Sequence, residues 1–325
     1  ALVGNYHGTA SRYCTIQEGI QDYLGDDVRV LASVGCDLFR DRTEHLAFTQ
    51  DRLAEAKIVA ENSDIVILCV GLDETLEGEE GDTGNSYASG DKETLQLPQV
   101  QLDLMEAMAE SGKPVVLCLM AGSDIDLSYA EEHFDAVMVL WYPGAEGGKA
   151  AARVLFGDVS PSGKLPVTFY NTLEELPDFT DYAMKGRTYR YMTETPLFPF
   201  GHGLSYTIFQ YGNASLNTSE IKDGEQVTLT IPVSNTGKYD GEEVVQVYLR
   251  HPGDKEGPSH ALRAFKRVAI AKGATNNVTI PLSKENFEWF DTSTNTMRPI
   301  EGDYEILYGG TSELKQLKSI PVTIK

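Results

Sequence analysis

The sequence has 325 residues, of which 41% are hydrophobic, and a formal net charge of −22. Its length suits two globular domains better than one. The acidic balance argues against nucleic acids and anionic membranes as partners, because phosphate groups are bound by clustered Lys and Arg. No apolar run approaches the ~20 residues of a membrane-spanning helix, so we expect a globular protein with no membrane partner.

The four cysteines are Cys14, Cys36, Cys69 and Cys118, and no CxxC pair occurs among them. Zinc and redox motifs are therefore disfavoured, and free thiols in apolar runs behave as small hydrophobic groups. The first residues have neither the basic region nor the apolar core of a signal peptide. These features favour a reducing, cytoplasmic location. Secretion stays an alternative, because the sequence does not begin with Met.

The first 160 residues predict alternating strands and helices, which is typical of an α/β domain with a mainly parallel sheet. The apolar runs are continuous rather than alternating, as strands covered on both faces require. Helical spacing of apolar residues separates these runs. The predicted strands are residues 28–34, 65–70, 115–120 and 136–141, and the predicted helices are residues 52–61, 99–111 and 147–155.

The acidic segment 71–82, GLDETLEGEEGD, follows the predicted strand 65–70 and contains six carboxylates. It lies at the carboxyl end of that strand, which is where open α/β sheets bind ligands. Like-charge repulsion raises the pKa of one member of such a cluster, as a proton donor near neutral pH requires. Residues 72–95 show no clear periodicity, and a loop of this length in a compact domain is usually functional or disordered.

The remaining chain predicts two further regions. Residues 161–208 are rich in Pro and aromatic residues, and we interpret them as an ordered, irregular connector. Residues 209–325 contain roughly seven short strands that alternate apolar and polar residues. This pattern favours a β-sandwich of the immunoglobulin type without its disulfide, closer to a fibronectin type III module. The expected division is therefore 1–160, 161–208 and 209–325.

Four segments in this order resemble glycoside hydrolase family 3, the β-glucosidase and β-xylosidase family. They are the acidic loop 71–82, WYPGAEGG at 141–148, PSGKLPVTF at 161–169, and GRTYRY with PLFPFGHGLSY between 186 and 206. Enzymes of this family begin with a (β/α)8 barrel that carries the nucleophilic Asp, and this barrel is absent here. The resemblance also places a first α/β strand just before Ala1. It implies that the chain is the second and third domains of a longer enzyme.

The resemblance also assigns roles within the acidic loop. Retaining glycoside hydrolysis needs two carboxyl groups about 5–5.5 Å apart, one as nucleophile and one as acid/base. The family pattern places the acid/base after a small residue and three positions before an Asp. Gly78 and Asp82 match this pattern, so Glu79 is the predicted general acid/base and Glu77 is the second candidate.

Other residues with chemical potential rank lower. We interpret His7 as a packed or surface histidine and His202 as part of the packing of the connector. The segment 144–148 is rich in Gly but lacks GxGxxG and the P-loop Lys, so dinucleotide or phosphate binding is disfavoured. No cofactor and no metal are predicted.

The resemblance implies the C-terminal part of a retaining, exo-acting β-glucosidase that removes terminal non-reducing β-D-glucosyl residues. Its expected partners are a β-glucoside or related oligosaccharide and a barrel-bearing domain or chain, without which it is expected to be inactive. A β-xylosidase or another specificity of the family is one alternative. A non-catalytic carbohydrate-binding or scaffolding module is another, and homo-oligomerisation is left open.

Overall fold

The structure is a computed structural model that describes residues 2–42, 47–79, 92–222 and 226–325. The chain divides into two compact units, residues 1–158 with 170–173 and residues 159–169 with 174–325. The first unit is α/β and the second is mostly β, which confirms the predicted fold class. The three-part division at residues 160 and 208 stays a prediction.

The first unit is built around a three-stranded parallel sheet, in which the strands lie side by side in chain order. Its strands closely match three of the predicted runs. The strands are β1 (Val66–Gly71), β2 (Val115–Met120) and β3 (Ala136–Val139), and the helices are α1 (Ile16–Leu24), α2 (Asp51–Glu61), α3 (Gln99–Ala109), α4 (Ser128–His133) and α5 (Gly147–Leu155).

Both faces of this sheet are covered. On one face, Ile67, Met120 and Met138 pack in a cluster with side chains of α1 and α5. Successive side chains of a strand point to opposite faces, so Leu68 and Leu117 face the other way, and both are buried. The continuous apolar runs in the sequence are explained by this double coverage.

The structure differs from the sequence prediction at residues 28–34, which form no strand. They lie along an apolar groove beside β1. Helix α1 was not predicted, although its N-terminus is capped conventionally: Thr15 accepts a hydrogen bond from the backbone N–H of Glu18 at 3.2 Å. The third strand ends at Val139, earlier than predicted, and Trp141 has a positive φ of 53°.

The second unit contains a β-sandwich, as predicted. The strands are β4 (Phe209–Tyr211), β5 (Ser215–Leu216), β6 (Glu220–Ile221), β7 (Val227–Asn235), β8 (Gly241–Arg250), β9 (Ala261–Ile270), β10 (Thr275–Leu282), β11 (Glu288–Asp291), β12 (Thr296–Pro299), β13 (Gly302–Gly309) and β14 (Lys318–Ile324). One core cluster combines side chains from a sheet in the order β10-β7-β4, in which β5 also pairs with β7, and from a sheet in the order β6-β14-β13-β8-β9. Strands β11 and β12 form a separate hairpin.

The Pro-rich segment before the sandwich is irregular but held by specific contacts. Phe169 and Phe198 form an isolated antiparallel bridge, and Tyr189 stacks on Phe200 with ring centroids 4.7 Å apart. The segment's short helix is α6 (Thr188–Tyr191). Among the helices of the described ranges, none is both long and apolar enough to cross a bilayer.

Candidate active site

The acidic segment begins where β1 ends, at Gly71. This residue has a φ of 152°, and a Cβ placed there would lie 1.8 Å from the carbonyl oxygen of Met120 on β2. Only glycine tolerates both the conformation and the close approach. The backbone N–H of Leu72 then donates to the same Met120 oxygen at 2.8 Å, so the segment leaves the sheet in a defined direction.

The first part of the segment is a compact turn organised by Asp73. The Asp73 carboxylate accepts hydrogen bonds from the backbone N–H and the hydroxyl of Thr75, at 2.9 and 2.7 Å. Its carbonyl accepts the N–H groups of Leu76 and Glu77, at 3.0 and 2.9 Å, and the Leu76 side chain is buried. Short Asp side chains favour such turns because they bond their own backbone two residues on.

Glu77 is anchored by the ends of the two neighbouring strands. Its side chain is only 11% exposed. It accepts a hydrogen bond from the backbone N–H of Gly122 at 2.6 Å and further bonds from the hydroxyls of Ser123 and Tyr142. Gly122 and Ser123 follow β2, and Tyr142 follows β3. The carboxylate therefore ties the acidic turn to the carboxyl edge of the sheet.

Two neighbours of Glu77 have perturbed acidities. Burial and the hydrogen bond to Glu77 raise the pKa of the Tyr142 phenol, so the phenol stays protonated and donates. The ammonium group of Lys92 lies 4.0 Å from the Glu77 carboxylate. Burial lowers the pKa of Lys92, an effect that Glu77 and Asp124 oppose.

Glu79 lies in different surroundings from Glu77. Its residue is exposed, and its carboxylate accepts a hydrogen bond from the hydroxyl of Tyr6, a residue that is 82% exposed with a positive φ of 59°. The two candidate acids are thus separated by environment, Glu77 held within the unit and Glu79 presented at its surface. An exposed carboxyl with a neighbouring phenol can exchange a proton with a bound molecule.

Asp124 is a carboxylate that the sequence analysis did not single out. Its Oδ2 accepts the backbone N–H of Tyr170 at 3.0 Å, and its carbonyl oxygen accepts the ammonium of Lys92 at 2.7 Å. Its Oδ1 is buried without a hydrogen-bond partner among the described residues. Burial raises the pKa of Asp124 to about 6. The signal that could have found it is its position just past the carboxyl end of β2.

The remaining residues of interest are dispersed. Glu80 and Asp82 lie outside the described residues. The sequence motif that selected Glu79 includes Asp82, so its arrangement in three dimensions is not described. His7 is exposed, and its Nδ1 lies 2.9 Å from the carbonyl oxygen of Gly8. His202, in the second unit, stacks on Phe198 with ring centroids 5.2 Å apart, which agrees with a packing role.

Family models match both units of the chain. Residues 1–206 match the model of the glycosyl hydrolase family 3 C-terminal domain, and residues 243–312 match that of a fibronectin type III-like domain. The first match covers more than half of the chain and includes the acidic turn and the residues that anchor it.

Two relatives have been assigned different sugars. Over 260 residues the chain is 46% identical to a xylan 1,4-beta-xylosidase of Xylanibacter ruminicola, a match that covers 80% of this chain and 30% of the relative. It is 31% identical to a periplasmic beta-glucosidase of Salmonella typhimurium, over 87% of this chain and 39% of the relative. The chain thus spans less than half the length of these relatives.

Solved structures agree in fold. A β-glucosidase of Erythrobacter marinus superposes with a TM-score of 0.85 at 30% identity, covering 99% of this chain and 44% of that one. A beta-glucosidase of Listeria innocua in complex with isofagomine superposes with a TM-score of 0.79 at 26% identity, covering 99% and 44%.

Proposed function

This chain belongs to glycoside hydrolase family 3, and from that premise we propose that it supplies the general acid/base, Glu79, of a retaining β-glycosidase. The observation that carries the proposal is the contrast between the two candidate acids. Glu77 is enclosed by three donors, whereas Glu79 is exposed at the end of the turn that Glu77 anchors. A proton donor must reach the substrate oxygen, and an exposed carboxyl at the carboxyl edge of the sheet suits that task.

The proposed reaction has two steps. In the first, a nucleophilic carboxylate attacks the anomeric carbon while the protonated Glu79 gives its proton to the departing glycosidic oxygen. In the second, the ionised Glu79 takes a proton from water, whose oxygen displaces the enzyme carboxylate from the sugar. The nucleophile is assigned to an Asp of a barrel-bearing domain, as the family resemblance implies.

Within this scheme Glu77 is a positioning residue. Both of its oxygens already accept hydrogen bonds from Gly122, Ser123 or Tyr142, so transferring a proton through them would disrupt the anchor. Holding the turn fixes the start of the segment that carries Glu79. A displacement of ~1 Å at a catalytic group can reduce a rate ~100-fold.

The sugar is proposed as a terminal β-D-xylosyl or β-D-glucosyl residue. The relative at 46% identity is named a xylan 1,4-beta-xylosidase, which favours the xyloside over the glucoside that the sequence alone suggested. The two sugars differ by one exocyclic hydroxymethyl group. The ratio of kcat/KM for aryl β-xylosides and aryl β-glucosides, measured on the enzyme assembled with its barrel, decides between them.

The test of the acid/base assignment is Glu79→Ala in the assembled enzyme, with Glu74→Ala in the same turn as the matched control. We expect Glu79→Ala to lower kcat/KM by about 10²–10⁴ for substrates with poor leaving groups. The loss should be small for a dinitrophenyl glycoside, whose leaving group needs no proton.

Azide gives an independent readout of the same variant. It should restore turnover of Glu79→Ala by attacking the glycosyl-enzyme, giving a β-glycosyl azide, and it should leave the Glu74→Ala rate unchanged. If Glu79→Ala instead hydrolyses poor substrates at the parent rate, the carboxyl at position 79 is not the acid/base, and a non-catalytic role for this unit becomes the better explanation.

A further inference from the structure

Two of the four cysteines lie side by side in the sheet of the first unit. Cys69 of β1 is paired with Cys118 of β2 in the parallel register, and both are free thiols. Side chains alternate between the two faces along a strand, so residues that are paired in neighbouring strands project from the same face. The two cysteines are far apart in the sequence, and only the register of the strands brings them together.

The backbone spacing at this pair suits a disulfide bond. Neighbouring strands lie about 4.7–4.9 Å apart, and the Cα atoms of disulfide-bonded cysteines are usually ~4.4–6.8 Å apart. The Cβ atoms of such cysteines are about 3.5–4.5 Å apart. Closing the bond therefore requires only a small approach of β1 to β2.

The two thiols differ in access. Cys69 is exposed and lines the apolar groove beside β1, which has a volume of about 1260 Å³. A small thiol or disulfide molecule fits a space of this size, since small-ligand pockets usually have ~300–1,000 Å³. Cys118 is fully buried. A reagent in the groove therefore reaches Cys69 first.

The two thiols also differ in acidity. A hydrogen bond from the Cys118 thiol lowers the pKa of Cys69. The same hydrogen bond, together with burial, raises the pKa of Cys118. The thiolate is the reactive form of cysteine, so Cys69 is the nucleophile of the pair.

The remaining cysteines serve as internal controls. Cys14 is buried, and its Sγ lies 3.7 Å from the carbonyl oxygen of Thr15. Cys36 is half-buried, and burial raises its pKa to about 11. Cys14 is thus shielded and Cys36 is held in its protonated form, which makes both less reactive than Cys69.

We propose that Cys69 and Cys118 form a disulfide bond by reaction with a small disulfide molecule, and that this bond fastens β1 to β2 where the acidic turn begins. In the first step, the Cys69 thiolate attacks one sulfur of the small disulfide and bonds to it, while the other sulfur leaves as a thiolate. In the second step, Cys118 loses its proton to solvent, and its sulfur attacks the Cys69 sulfur and expels the second thiolate. The two cysteines are oxidised, and the small disulfide is reduced to two thiols.

The first step favours the second. The hydrogen bond to Cys69 is the largest cause of the raised pKa of Cys118, and it weakens once the Cys69 sulfur is bonded to another sulfur. The Cys118 sulfur is also adjacent to its target, so its attack is intramolecular and is faster than that of a second molecule from solution.

The bond would lie close to both strand ends that fix the acidic turn. Gly71, where the turn begins, follows Cys69 at the end of β1. Gly122, whose N–H donates to the Glu77 carboxylate at 2.6 Å, follows Cys118 just past the end of β2. Joining the strands therefore limits the separation of the turn from its anchor, whichever carboxyl of the turn is the acid/base.

The test is oxidation of the reduced, folded 325-residue chain by oxidised glutathione. Remaining thiols are then alkylated, and intact mass and peptide mapping without reduction identify the products. We expect the parent to lose two hydrogens and to yield a peptide that joins residues 69 and 118. Cys118→Ala should stop at one glutathione on Cys69, and Cys69→Ser should leave Cys118 unmodified. Dithiothreitol should reverse both products.

Reactivity within the parent chain gives the comparison of rates. Cys69 should be modified at least about tenfold faster than Cys14 or Cys36. A stable glutathione adduct on Cys69 of the parent would overturn the proposal, as would a disulfide that includes Cys14 or Cys36, or modification of Cys69 no faster than of these controls. These outcomes are read from the parent, so they decide the proposal even if a variant does not fold.

Hydrogen exchange measures the effect on the strand ends. In the oxidised parent, amide exchange across residues 66–72 should be about tenfold slower than in the reduced parent. Glutathione treatment should leave the exchange of Cys69→Ser unchanged. Equal exchange in the oxidised and reduced parent would show that the bond does not fasten β1 to β2, which contradicts that part of the proposal.

Discussion

Glu77 and Glu79 are two residues apart, yet the fold gives them different environments. The donors to Glu77 come from 45, 46 and 65 residues further along the chain. Sequence reasoning placed the acidic segment correctly at the end of β1, because a strand followed by a polar Gly-rich stretch has a local signature. It could not identify the anchored acid, because that depends on which strand ends meet at the edge of the sheet.

The different environments predict losses of stability of very different size when each carboxyl is removed. Glu77→Ala should lower the free energy of unfolding by about 2–4 kcal/mol, because it leaves the Tyr142 hydroxyl, the Ser123 hydroxyl and the Gly122 N–H without their acceptor. Glu79→Ala, at an exposed site, should change it by no more than about 0.5 kcal/mol. Urea unfolding of both variants measures this, and similar losses in the two would contradict the anchoring role of Glu77.

Asp124 predicts a pH-dependent effect on stability. Its pKa is raised from 3.8 to about 6 by burial, so its ionisation opposes folding as pH rises through that window. Asp124→Asn removes this ionisation. The variant should be close to the parent near pH 4 and more stable by about 1–2 kcal/mol at pH 7.5.

The measurement for Asp124→Asn is urea unfolding at both pH values, so that the chain at pH 4 serves as its own reference. A stability difference that does not grow between pH 4 and pH 7.5 would show that burial of this carboxylate has no cost.

At the scale of elements, residues 28–34 show that a sequence can favour a β-strand and still not form one. Their apolar run is typical of a buried strand, but a strand forms only when a neighbour satisfies its backbone groups. Runs 65–70 and 115–120 each have that neighbour, and they form β1 and β2 in register. Strand β9 shows the converse: Arg and Lys interrupt its apolar alternation, yet it forms because it pairs along β8.

Gln101 is the element-scale contact with the clearest consequence. The residue is 2% exposed. Its side-chain amide accepts a hydrogen bond from the N–H of Gly71 and donates to the carbonyl of Gly71. It also donates to the carbonyl of Leu38 at 2.6 Å. Gln101→Met keeps the size and removes these bonds, so unfolding should become easier by about 2–4 kcal/mol. The matched control is Gln99→Met on the same helix. Gln99 is exposed and its side-chain amide donates a hydrogen bond to Asp103, so its replacement should cost about 0.5 kcal/mol or less.

Thermal and urea unfolding of the two Gln variants give the comparison. Equal stability of Gln101→Met and Gln99→Met would mean that Gln101 does not fix the end of β1. The acidic turn would then need another explanation for its position, because it starts from Gly71.

At the scale of the whole chain, recognition was possible because four motifs fall in a fixed order across both units. The family model over residues 1–206 confirms that recognition. The sugar could not be predicted in the same way. Relatives named for xylosides and for glucosides both match, and neither the motifs nor the described part of the acidic turn distinguishes a sugar with a hydroxymethyl group from one without it.

The proposed division of labour predicts what this chain can do by itself. Retaining hydrolysis needs a nucleophile about 5–5.5 Å from the acid/base, and the proposal assigns that carboxylate to a barrel-bearing domain. The purified 325-residue chain should therefore hydrolyse nitrophenyl β-xyloside and β-glucoside no faster than its Glu79→Ala variant does. Adding a separately produced barrel should restore turnover by the parent chain. For substrates with poor leaving groups, it should restore much less turnover by the Glu79→Ala variant. A different outcome is that the parent chain alone hydrolyses these substrates rapidly and the Glu79→Ala variant does not. Glu79 would then keep its proposed role, but the nucleophile would have to lie within these 325 residues.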